Sequence, residues 1–162
     1  MISLDIKSVT DEIFALTALR AAVTGASPDT FPPLLTRDNL PSLRVLVRGA
    51  FATLVTRLMP FVASASTDTG NPSAGRPYDD REPVTLEIDF GEHAASLAAG
   101  TLLVLKRYLE HLLALSVLEK AYLTLDAAIA SEHASEASTL LSAVTTLLTA
   151  SPAPSRIAPC YL

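Results

Sequence analysis

The chain has 162 residues, 49% of them hydrophobic and 18% charged, with a net charge of −5 and no Trp. That length is one domain with room for a real core, and 12 Lys and Arg residues scattered through an acidic chain exclude the concentrated basic face of a sequence-specific nucleic-acid binder. A single cysteine, Cys160, excludes an intrachain disulfide.

Residues 1–7 alternate, with Ile2, Leu4 and Ile6 apolar and Ser3, Asp5 and Lys7 polar. This predicts a short strand with one buried face. The segment "MISLDIKSVTDEIF" lacks the basic start and apolar centre of a signal peptide, which predicts a cytoplasmic chain. Ser8, with Asp11 three residues on, opens a helix. Its apolar stripe is Val9, Ile13, Leu16, Leu19 and Val23, and Thr24-Gly25 ends it.

Residues 25–39 form a proline-rich loop. A second helix starts at Asn39 or Leu40, just before Pro41, and Pro60 ends or kinks it. Leu43, Leu46, Val47, Ala50, Leu54 and Leu58 make its stripe. Arg44 and Arg48 lie one turn apart, with Arg37 before them, and read as a solvated helix face. Arg57 and Pro60 interrupt the apolar stretch 45–62, and 137–155 is rich in Ser and Thr and ends in prolines. Neither predicts a membrane span.

Residues 64–82 lose nearly all apolar character and read as an exposed loop. "VTLEIDF" follows, with Val84, Leu86, Ile88 and Phe90 on one face and Thr85, Glu87 and Asp89 on the other. It is the clearest strand signal in the chain. After Gly91, one long helix runs through "SLAAGTLLVLKRYLEHLLALSVLEKAYLTLD", with a break near Thr124–Asp126 or Ser131. Its segment 112–118 is apolar almost all round and must be buried on all sides, either inside the domain or between subunits. A last helix spans about 134–149, with Leu140, Leu141, Val144, Leu147 and Leu148 on one face. Residues 151–162 form a Pro-rich tail.

The expected fold is therefore mainly α: about four helices in a bundle with a two-stranded β element, residues 1–7 and 84–90. Residues 1–150 make a single domain with an exposed loop at 64–82. A two-stranded ribbon is marginal alone and leaves open edges. Pairing with the ribbon of a neighbouring copy, head to tail, closes a ring. Ile2, Leu4, Leu86, Ile88, Phe90, Leu112, Leu115 and the closing Tyr161-Leu162 of the tail are the candidate interface residues.

Signals for chemistry are few. Each of the three histidines follows a glutamate: Glu92-His93, Glu110-His111 and Glu132-His133. Adjacent helical residues point about 100° apart, so no pair faces itself. On one straight helix His93 and His111 lie about 27 Å apart, too far to share a metal. There is no HExxH, and the Glu-x-x-His of di-iron bundles is missing. The expectation is polar surface or helix-end residues, with no catalytic residue, no metal and no cofactor. Cys160, in a tail, has no base near it in sequence and is a poor nucleophile. "DDRE" at 79–82 reads as a solvated loop with a local ion pair. Tyr78 and Tyr108 read as packing residues, and the glycines form no phosphate loop.

The elements Asp89-Phe90, Tyr108-Leu109, Val117-Leu118 and Tyr122-Leu123-Thr124-Leu125 resemble a pattern in small proteins encoded in Bacteroidetes phages and prophages. The chain departs from it at Tyr122, where the pattern has Trp, and at Asp126-Ala127, where Pro-Glu follows. The resemblance implies a virion or assembly protein, a head–tail connector or adaptor subunit. Such subunits form homo-oligomeric rings against portal or tail components, assembled in the host cytoplasm. No active-site residue carries over. Two other readings stay open: a small dimeric regulatory module using the 112–118 face, and a metal-dependent enzyme with an intersubunit His/Glu site.

Overall fold

The computed structural model describes residues 1–25, 32, 35–67, 85–95 and 97–149. The fold is mainly helical with a small antiparallel sheet. In chain order the elements are β1 (Ile2–Asp5), α1 (Ile6–Thr24), α2 (Leu40–Arg57), β2 (Ser64–Thr67), β3 (Thr85–Asp89), α3 (Glu92–Ala95), α4 (Ala99–Tyr122) and α5 (Ala127–Thr149). Short 3-10 turns flank α2. The tail at 151–162, with Cys160, Tyr161 and Leu162, lies outside the described residues, as do residues 68–84 with Tyr78 and the "DDRE" cluster.

The two expected strands pair antiparallel, Ile2 opposite Ile88 and Leu4 opposite Leu86. The alternation of both strands sends these four side chains into the core. β1 is shorter than the alternation predicted. Asp5 ends it by accepting a hydrogen bond from the Lys7 N–H at 2.9 Å. That cap starts α1 at Ile6 rather than Ser8. A third strand corrects the two-stranded expectation: β2, from the stretch read as loop, pairs antiparallel with the other edge of β3. The sheet order is β1-β3-β2. Gly91, in the left-handed region at φ 52°, turns the chain from β3 into α3. Its N–H donates to Asp89 Oδ1 at 3.1 Å.

Helix α4 is the axis of the bundle, packed by α5, α1, α2 and β1. Every residue of 112–118 except Ser116 is buried, so the all-apolar segment is central within one chain. Two features of the helical half differ from expectation. An extended Ala98 separates α3 from α4, so His93 and His111 do not share one rod. The last helix starts at Ala127 rather than near 134, because Asp126 accepts from the N–H groups of Ala128 and Ile129 at 3.0 and 3.1 Å.

α1 buries Val9 and Ile13 of its expected stripe and packs Leu16 partly against the core, but its second half turns differently. Its buried stripe is Ile6, Val9, Thr10, Ile13 and Thr17. Both threonines fit because their hydroxyls donate to their own helix, Thr10 to the Lys7 carbonyl and Thr17 to that of Ile13. Leu19 and Val23, one turn apart, are left exposed. The α2 stripe follows the expected pattern, with Leu43, Val47, Ala50, Leu54 and Leu58 buried and Phe51 added.

Candidate functional site

Three helices bring polar side chains together along one seam. His111, on α4, is bracketed by carboxylates from both neighbouring helices. Its Nδ1 lies 2.6 Å from Glu12 Oε1 on α1, and its Nε2 lies 3.5 Å from Glu136 Oε1 on α5. A carboxylate only accepts, so the short contact puts a proton on Nδ1. Further along the seam, the Arg20 guanidinium of α1 meets Glu132 of α5 at 2.7 Å. The His133 ring stacks at a tilt on Tyr122, with centroids 6.0 Å apart. Burial holds His133 below the usual histidine range, and the Arg20 charge adds to that. Burial also pushes the Tyr122 phenol up. Its hydroxyl is buried with no hydrogen-bond partner among the described residues.

The contacts fix the helix directions. Residue 12 of α1 meets 111, and Arg20 sits near Tyr122, so α1 and α4 run parallel. Residues 111 and 136 meet, and so do 122 and 133, so α4 and α5 are antiparallel. Leu19 and Val23 of α1 therefore lie at the same end of the bundle as Leu123 and Leu125 of the α4–α5 turn. All four are exposed.

The seam joins helices; it does not gather ligands. The two imidazole nitrogens point in opposite directions, so carboxylates bonded to each lie on opposite sides of the ring. They cannot converge on one ion together with the histidine. Among the described residues no group of three or more His, Cys, Asp or Glu is placed to hold a metal. His93 sits apart, edge-on to Phe61 with centroids 5.4 Å apart. Of the sequence Glu-His pairs, Glu110 is buried and ion-paired with Lys106 at 3.7 Å and Arg107 at 3.2 Å, not with His111. Glu12 and Arg20 carried no signal in sequence, because their partners lie 99 and 112 residues away.

The strand and helix residues expected at an interface are spent inside the chain. Ile2, Leu4, Leu86, Ile88, Phe90, Leu112 and Leu115 are all buried in the core, so in this conformation they present no side-chain surface to another copy. What the sheet leaves open is its polar side, with Ser3 and all of β2 exposed, and its edges. Arg44 corrects the solvated-face reading of α2, since it is buried; the Arg37 side chain lies outside the described residues.

A shallow groove of about 280 Å³ opens beside His111, between α4 and α5, and is lined by Tyr108, His111, Glu136, Thr139, Leu140 and Ala143. A smaller one of about 90 Å³ lies between α2 and α4 beside Arg57 and Glu119. Among the described residues no helix is long and apolar enough to cross a membrane. Comparison with family models, with curated proteins and with solved structures finds no match.

Proposed function

We propose that the protein is a non-enzymatic structural subunit that assembles with copies of itself, of the head–tail adaptor kind. It acts in a homo-oligomeric ring against portal or tail components of a virion, assembled in the host cytoplasm. The observation that supports this best is the sheet. β1 and β2 both run antiparallel to β3, so they are parallel to each other on opposite edges. A second copy set beside the first in the same orientation brings its β1 alongside β2, strand direction matched. Repeating that step makes a head-to-tail contact, which closes a ring when the rotation per copy allows.

The composition of β2 supports the same reading. Edge strands are normally guarded by charge, Pro or a bulge. Ser64-Ala65-Ser66-Thr67 is guarded by its short length alone: it carries no charge, Pro or bulge, and all four residues are exposed. The exposed apolar group Leu19, Val23, Leu123 and Leu125 adds further surface that the chain's own core does not cover.

Light scattering across a concentration series, with electron micrographs of the particles, tests the proposal. The expected result is a closed multi-subunit ring for the wild type and single chains or pairs for Ala65→Lys, which places a charge on the edge. A wild-type mass of one chain at all concentrations rules the reading out.

A further inference from the structure

The groove between α4 and α5 has a shape and charge that call for a specific occupant. From Glu136 to Ala143 it runs seven residues along α5, about 10 Å. Sites for free small molecules enclose roughly 300–1,000 Å³ and bury most of the ligand. This groove, at about 280 Å³ and open along its length, suits one or two side chains from another protein surface. Tyr108, Leu140 and Ala143 give it apolar walls, and its lining includes no Lys or Arg. At one end stands Glu136, with its side chain 58% exposed, and across His111 lies Glu12. The fitting occupant is an apolar ridge that carries a basic group.

Such a ridge adjoins the groove on the same chain. Leu103 and Val104 are exposed large hydrophobics on α4. Val104 is one turn from Tyr108 and two from His111, on the same helical face. Arg107 is one turn from Leu103, and its side chain is 71% exposed although it contacts Glu110. Basic ridge and acidic groove therefore form one continuous patch.

We infer that this patch is a two-fold contact between copies of the chain, with Leu103 and Val104 of each copy in the groove of the other and Arg107 of each against Glu136 of the other. A patch that holds both complementary halves is self-complementary about a two-fold axis. The contact uses none of the strand edges, so it joins copies in pairs independently of ring closure. It rests on the self-association put forward above.

The test is sedimentation of the full chain as wild type, as Arg107→Glu, as Glu136→Lys, as the double charge swap and as Val104→Asp, with thermal melts to confirm folding. Each single charge variant, and Val104→Asp, is expected to raise the pair dissociation constant about tenfold or more. The double swap is expected to restore it to within about threefold. A wild type that stays a single chain overturns both this contact and the proposed function. Association of the wild type with equal association of the variants overturns the contact alone. Weakened singles with no recovery in the swap overturn the Arg107–Glu136 pairing. Loss of rings in Ala65→Lys while pairs persist supports both.

Discussion

His111→Ala removes an α4 side chain that touches α1 and α5 at the same time, and the geometry assigns unequal weight to its two contacts. The Glu12 bond is 2.6 Å and links groups whose side chains are 28% and 33% exposed. A hydrogen bond to a charged group contributes about 1.5–3 kcal/mol when shielded. Partial solvent access lowers that to about 1–1.5 kcal/mol. The Glu136 contact is at the 3.5 Å limit, to a carboxylate 58% exposed, and contributes about 0–0.5 kcal/mol. With the lost packing of the ring stem, the whole substitution costs about 2 kcal/mol.

Urea unfolding at fixed pH and ionic strength measures this, and double-mutant cycles apportion it. The coupling between His111→Ala and Glu12→Ala should exceed that between His111→Ala and Glu136→Ala by about 1 kcal/mol. Equal couplings, or a Glu12 coupling below about 0.3 kcal/mol, refute the assignment of His111 as the tie between α1 and α4.

Three further outcomes follow from the same geometry. Asp126→Ala removes the cap of α5 and should cost about 1 kcal/mol in chemical denaturation, while Asp126→Asn keeps most of the stability. Gly91→Ala forces a side chain into the left-handed region and sets its Cβ 3.2 Å from Ala63 Cβ. It should cost about 1–2 kcal/mol, and adding Ala63→Gly should recover only the contact share. His133 is held below its ordinary value of 6.5 mainly by burial, so protonation favours the unfolded chain. Stability is therefore unaffected by this group above pH 6.5 and declines as pH falls through its folded value. Thermal melts of wild type and His133→Gln should diverge in slope over that range. Parallel curves would count against a buried neutral ring.

The parts of this fold that were legible in sequence are those fixed by local chemistry. The alternation of Leu86 and Ile88 specifies β3, and the unbroken apolar run 112–118 specifies a central helix. The break near Asp126 was visible too, and the helix start at Ala127 could have been read from that aspartate followed by good helix formers. What failed depended on partners distant in the chain. Ser64–Thr67 has no apolar alternation and becomes a strand only because the second edge of β3 is available to it. The expected α1 stripe holds at Val9, Ile13 and in part Leu16, but fails at Leu19 and Val23, because the sequence offers apolar residues on more than one side of the helix. Docking on α4 buries Thr17 in that second half instead of a larger residue.

The same distinction separates chemistry from cohesion at the three histidines. Helix geometry turns adjacent residues apart, as expected from the sequence, and the structure gives three of these groups to partners on other turns or helices. Glu110 goes to Lys106 and Arg107, Glu132 to Arg20, and His111 to Glu12. Every one of these contacts fastens a helix or joins two of them, and the imidazole that sits between two carboxylates has both its nitrogens directed at the protein. The Nδ1–H of His111 is committed to Glu12, while its Nε2 faces Glu136 at 3.5 Å beside the open groove. Neither contact put forward above, the outer edge of β2 or the Arg107–Glu136 patch, calls on that imidazole as a ligand, so the reading of the chain as an assembling subunit draws on its surfaces and not on chemistry at the histidines.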